Sequence, residues 1–137
     1  GAAEVLSMSA VDMGTRPLEK SLWAGAVDPV GGETLAWLTR TMQHDGCIAS
    51  SGLTGGMEVH MTVMPFILRG VKLPGIESSK CPMKLRRHVW QRLSTDMKPE
   101  NLEAIAREIG LEELHVAFAA LLQGSAKGRY IVKVRDS

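Results

Sequence analysis

Trp23-Ala-Gly-Ala-Val-Asp-Pro-Val-Gly-Gly32 is the stretch on which the fold turns. It is apolar, built from small residues and closed by two glycines. A strand with one wet face alternates polar and apolar residues, and this one does not. The run therefore predicts a strand covered on both faces, the habit of parallel sheets. Glu33 to His44 follows as a predicted helix with Leu35, Leu38 and Met42 on one face, Glu33 near its positive end and Gly46 at the C-cap position. Cys47 to Ser51 is a second strand of the same kind and runs into Gly52-Leu-Thr-Gly-Gly56. After a dense apolar patch from Val63 to Leu68, Val71 to Ile76 forms a third strand that ends in Glu77-Ser-Ser79. Strand, helix, strand, connection, strand, with a Gly- or Ser-rich loop after each strand and room for crossovers, describes an open, mostly parallel α/β sheet.

On either side the pattern is plainer. Val5 to Met8 reads as a short strand, and residues 9–22 are turn-rich, with Gly14 and Pro17 as breakers. Met83 to Met97 is an amphipathic helix with Val89, Trp90, Leu93 and Met97 inward and Lys84, Arg86, Arg87 and Arg92 outward. Leu111 to Gln123 is another, striped by Leu111, Leu114, Phe118, Leu121 and Leu122, with Glu112 and Glu113 in its first turn. Gly124 and Gly128 bracket a turn, and Arg129 to Arg135 alternates as a final strand.

The whole chain has 137 residues, the size of one ordinary domain with enough length to bury a core. Hydrophobic residues at 45% and charged residues at 23% exclude wholesale disorder. Sixteen Lys and Arg against fifteen Asp and Glu leave +1, too little to draw in nucleic acid or an anionic membrane. The longest apolar run, Val116 to Leu122, is seven residues, far below the ~20 that span a bilayer. Cys47 and Cys81 form no ligand spacing, so free thiols of a reducing, cytoplasmic setting are expected. The chain opens Gly-Ala-Ala-Glu-Val-Leu, which reads as a tag scar, a processing product or a cut from something longer.

In open α/β sheets ligands sit at the carboxyl ends of the strands, which makes loops 28–32, 52–56 and 77–79 the candidate site. Their glycines permit close approach of a cofactor to the backbone, and read equally well as turn glycines. Neither GxGxxG nor GxxxxGK[ST] spacing occurs. Asp28, at a strand end, is expected to bond loop amides rather than to do acid–base work. Four histidines and two cysteines give no metal-ligand pattern. No GxSxG elbow supports Cys47 or Ser51 as a nucleophile, and a buried structural Cys47 is expected. The basic cluster from Lys80 to Arg92 has only Trp90 as aromatic company and reads as a solvated helix face.

Several blocks recur together. Arg16-Pro-Leu-Glu-Lys20, Trp23 to Gly32, Gly52-Leu-Thr-Gly-Gly56, Thr62-Val-Met-Pro-Phe-Ile-Leu-Arg-Gly70, Gly75-Ile-Glu-Ser78 and Gly128-Arg-Tyr-Ile-Val-Lys-Val134 resemble the acryloyl-CoA reductase branch of the zinc-free quinone oxidoreductases, within the medium-chain dehydrogenase/reductase superfamily. The resemblance runs from about Val5 to Val134 and covers only the C-terminal part of such enzymes. It implies the C-terminal half of a Rossmann-type parallel sheet with flanking helices in residues 1–98. Residues 99–137 would be a helix and strand that return to a missing GroES-like catalytic domain.

The implied activity is hydride transfer from NADPH to an activated alkene, an acryloyl thioester or a quinone-like acceptor, by the parent protein, with the fragment alone inactive. Family cofactor contacts map onto Leu53, Ile67 and Ser78, and onto Arg129 before the last strand. No metal and no catalytic side chain map here. Relatives pair the third strand across a twofold axis, which implies a homodimer through about residues 62–77. The alternative from another class is a non-catalytic dimerisation or scaffold module built on half a nucleotide fold.

Overall fold

A computed structural model describes residues 2–134. Its elements are β1 (Trp23–Asp28), α1 (Gly32–Thr41), β2 (Met42–Ser50), α2 (Met64–Arg69), α3 (Met83–Ser94), α4 (Leu102–Ile105), β3 (Ala106–Gly110), α5 (Leu114–Leu122) and β4 (Arg129–Lys133). Two compact units, residues 1–80 and 81–137, divide the chain.

In the first unit β1 and β2 pair in parallel, in unbroken register from Gly25↔Cys47 to Asp28↔Ser50. Residues 71–76 lie along the other side of β2 through parallel bridges Cys47↔Lys72 and Ser50↔Gly75. The Ile48 amide donates to the Lys72 carbonyl (2.8 Å) and the Ile76 amide to that of Ser50 (2.8 Å). Between them Pro74 has no amide to give, so the third strand is a ladder with one missing rung. The α/β class and the parallel order match the sequence reading.

One face of this sheet carries the core. Leu35, Trp37 and Leu38 of α1 pack on Met42, Ile48 and Val71, with Trp23 edge-on to Trp37 at 6.1 Å. The other face is wet: Val27 is 76% exposed, and Gly25 and Cys47 are exposed with it. The expectation that β1 is covered on both faces is therefore corrected, because α1 lies on one side only. A run of small apolar residues has no period to say how many layers cover it.

The C-terminus of α1 is also corrected. The helix stops at Thr41, not His44, and Met42 already has extended backbone (φ −68°, ψ 146°). Gly46 is no cap but a buried residue of β2. The last helical carbonyls are answered from elsewhere. Glu19 and Leu22 amides donate to the carbonyls of Arg40 (2.9 Å) and Thr41 (2.7 Å). The Arg69 guanidinium donates to Arg40 (2.9 Å), Met42 (3.0 Å) and Glu19 (2.6 Å) carbonyls. A cation on helix C-terminal carbonyls also suits the macrodipole. Strand β2 starts earlier than expected, and residues 43–46, with Asp45 at φ 59°, form the irregular step before regular pairing.

The patch at 63–68 is a helix, α2, opened by Pro65 and closed by Gly70 in the left-handed region (φ 63°). Val5 to Met8 forms no strand; a 3-10 turn occupies Met8–Ala10, and nothing in it is buried.

In the second unit β3 and β4 pair in parallel, Ala106↔Arg129 through Gly110↔Lys133, with a 3-10 turn (Leu111–Glu113) and α5 as the crossover. Arg107 stacks 5.8 Å from the centre of the Tyr130 ring, its register partner. β4 alternates as expected; the predicted end at Arg135 lies outside the described residues. The inward stripes are corrected. Val89, Trp90, Leu93 and Met97 are all exposed, as are Leu111, Phe118, Leu121 and Leu122, leaving Ala117 the buried residue of α5. Glu112 and Glu113 stand in the 3-10 turn before α5 rather than in its first turn.

Candidate functional site

The carboxyl ends of β1 and β2 converge on one carboxylate. Asp28 is 1% exposed. Its Oδ1 accepts the amides of Val30 and Gly31 (3.1 Å each). Its Oδ2 accepts the Gly31 amide (3.1 Å) and the Ser50 hydroxyl (3.4 Å). The Asp28 carbonyl takes the Ser51 amide (2.8 Å) and the Ser51 hydroxyl (3.4 Å). A buried carboxylate with its lone pairs filled by amides is a structural tie. The sequence expectation for Asp28 is thus met, and Ser51 is spent on a backbone bond.

Around this tie two glycine loops lock together. The Gly55 amide donates to the Val30 carbonyl (2.7 Å), Gly31 bridges Gly56, and the Thr54 hydroxyl donates to Pro29 (3.3 Å). A Cβ on Gly31 would stand 2.6 Å from the Gly56 oxygen, at φ 72°, and one on Gly52 would stand 2.3 Å from the Pro29 oxygen. These glycines are required by the approach of loop to loop. That answers the question the sequence left open: they are more than turn residues, and what comes close is first of all the neighbouring loop.

Leu53 stands on this locked pair. Its carbonyl accepts the Gly56 amide (3.1 Å) while its side chain is 62% exposed. Ile67, on α2, is 71% exposed. Both large apolar side chains are thus outside the core. Ser78 lies in the turn after the third strand, where the Glu77 carboxylate accepts the Ser79 and Lys80 amides (2.8 and 3.0 Å). Arg129 opens β4 in the second unit, exposed and in register with Ala106.

Other candidates fall away or change. Cys47 is exposed, not buried, because it projects from the uncovered sheet face; Cys81 is half-buried, and both are free thiols. Among the described residues no group of three or more His, Cys, Asp or Glu could hold a metal. No helix among the described residues is long and apolar enough to cross a membrane. Helix α3 bears Lys84, Arg87 and Arg92 in the open, with Arg86 half-buried against the outward expectation, and Arg92 holds Asp96 at 2.8 Å, which keeps that carboxyl below its ordinary range. Ser50 and Arg69 were not singled out from sequence. The signal for Arg69 is its place before the capping glycine; Ser50 gives none, as its partner lies 22 residues away.

No family model matches the chain. A Bacillus subtilis protein named for quinone oxidoreductase activity, YhfP, is 53% identical over 136 residues, 98% of this chain and 41% of that protein. Its crystal structure, with NAD bound, superposes at a TM-score of 0.89. The acrylyl-CoA reductase AcuI of Ruegeria pomeroyi is 38% identical over 135 residues, again 98% of this chain and 41% of the relative. The YhdH oxidoreductase of Salmonella enterica, in complex with NADP, superposes at 0.90 with 42% identity, covering 98% of this chain and 41% of that one. This chain thus spans about two fifths of the length of the relatives it matches, and its parallel α/β fold corresponds to their Rossmann-type portion.

Proposed function

We propose, on the premise that the chain belongs to the quinone oxidoreductase and acrylyl-CoA reductase family and spans about two fifths of its relatives' length, that it is the nicotinamide-side part of an NADPH-dependent reductase. The observation that carries the reading is the rigid pair of glycine loops at the carboxyl ends of β1 and β2, with Leu53 exposed upon it. Bound there, the reduced nicotinamide would supply a hydride to an electron-poor alkene or quinone. Leu53 and Ile67 fit such a group: both are apolar, solvent-facing and able to cover a flat ring. Ser78 would add a polar contact; for Arg129, on the second unit, the family resemblance alone supports a phosphate contact. Asp28 acts at one remove, holding the loop still so that no ordering is needed when the ring docks.

Residues 1–98 would then belong to the cofactor domain and residues from 99 to the catalytic domain. A cytoplasmic setting is part of the reading, supported by the two free thiols. In the intact protein, acryloyl-CoA or a quinone should drive oxidation of NADPH, followed by loss of its absorbance. This 137-residue chain by itself should give no turnover and bind NADPH more weakly than micromolar. Absence of turnover by the intact protein with both acceptors would overturn the activity; tight NADPH binding by the chain alone would overturn its dependence on the remainder.

A homodimer through about residues 62–77 is the accompanying assembly. The amides of Lys72 and Ile76 face β2, so those of Leu73 and Gly75 point away along an open edge. Beside it Val63, Ile67 and Leu68 are exposed apolar side chains, each gaining ~1.5–3 kcal/mol when covered. Val71, by contrast, is buried in the unit's own core. Sedimentation of the chain should give a dimer, and a variant with both Val63→Lys and Leu68→Lys should run as a monomer. A wild-type monomer, or a dimer that survives both lysines, contradicts the edge.

A further inference from the structure

Helix α1 has two ends with different surroundings. Its start abuts the glycine loops; its last turn, roughly 15 Å away by the rise of a ten-residue helix, carries Arg40. There a pocket of about 340 Å³ is walled by Thr15, Arg16, Arg40, His60 and Thr62. The Arg40 Nε–H is buried and has no hydrogen-bond partner. Among the described residues no carboxylate pairs with this guanidinium. Its neighbours are better provided. Arg16 donates through Nε (3.0 Å) and Nη2 (2.5 Å) to Glu19, whose carboxyl that hydrogen bond holds below its ordinary range. His60 lies 4.0 Å from Glu58. The Thr62 hydroxyl oxygen accepts the Met64 amide (3.3 Å), which leaves its proton to give.

A buried donor in a native protein normally has an acceptor, and a partly buried cation normally has an anion. A guanidinium that lines a cavity with two threonines on its walls, and that has no carboxylate partner among the described residues, is shaped for the paired oxygens of a carboxylate or phosphate. We propose that this pocket binds the oxyanion group of a small ligand, with Arg40 as its anchor and the Thr15 and Thr62 hydroxyls as further donors. The site lies at the far end of α1 from the cofactor loops, and it stands whether or not the reductase reading holds.

Inorganic phosphate and acetate, each titrated into the ¹⁵N-arginine-labelled chain at ionic strength matched with chloride, provide the test. The expected result is a saturable shift of the Arg40 Nε–H resonance with slowed solvent exchange, assigned by its disappearance in Arg40→Lys. Arg92, already held by Asp96, should not move. Millimolar anion should also raise the melting temperature, and Arg40→Gln should abolish that increment. A response to phosphate alone assigns a phosphoryl ligand, and a response to acetate a carboxylate. No saturable shift with either anion, equal movement of Arg92, or an increment that persists in Arg40→Gln overturns the proposal. The wild-type titration decides even where a variant unfolds.

Discussion

Asp28→Ala is expected to destabilise the 1–80 unit by about 3 kcal/mol. The alanine would leave the Val30 and Gly31 amides and the Ser50 hydroxyl without their acceptor, and Gly31 is itself buried. Each buried donor stripped of its partner costs about 1–3 kcal/mol, and bonds to a carboxylate stand at the upper end. The three share one acceptor, so the losses will not add fully. Asp28→Asn keeps the volume and one acceptor oxygen but turns an amide toward the Gly31 N–H, and should lose roughly half as much. Urea unfolding of the three proteins under one buffer checks both numbers. A loss below about 0.5 kcal/mol for alanine would place Asp28 among ordinary surface changes and dissolve the tie.

Gly52→Ala is expected to be at least as severe, above about 3 kcal/mol, for a different reason. The new methyl would meet the Pro29 oxygen at 2.3 Å, its carbonyl carbon at 2.9 Å and its Cα at 3.1 Å. All three are backbone atoms, with no flexible side chain to swing aside, so the two loops must part. Parting them breaks the Gly55–Val30 and Ser51–Asp28 hydrogen bonds that align β1 with β2. Gly75→Ala is the matched control: nothing lies within 4 Å of its Cβ and its φ is not left-handed. It should change stability by less than about 1 kcal/mol, and can gain through the stiffer unfolded chain. Equal losses for the two alanines would refute the loop-against-loop account.

The parallel order of β1, β2 and residues 71–76 was legible because their sequences lack alternation and end in glycine or serine. Asp28 was legible too, as a short acceptor placed just before Pro-Val-Gly-Gly, where amides turn back. What escaped depends on partners far along the chain. Ser50 reaches Asp28, Gly52 meets Pro29, and Arg69 spans 27 to 50 residues to its three carbonyls. No local pattern encodes such pairs. Strand β3 escaped because Ala-Arg-Glu-Ile-Gly buries Ile109 alone and otherwise reads as polar connection. The apolar stripes of α3 and α5 were real, but periodicity tells which side of a helix is apolar and not what covers it. All four residues carried over by resemblance, Leu53, Ile67, Ser78 and Arg129, are exposed.

In the proposed function, loops at the carboxyl ends of these parallel strands receive a nicotinamide cofactor. Amide hydrogen exchange on the intact protein, with and without NADPH, tests it most directly. Slower exchange is expected at residues 52–56 and 77–79 on binding, with α4 (Leu102–Ile105) unchanged. Saturating NADPH that leaves 52–56 and 77–79 at their free rates would contradict it.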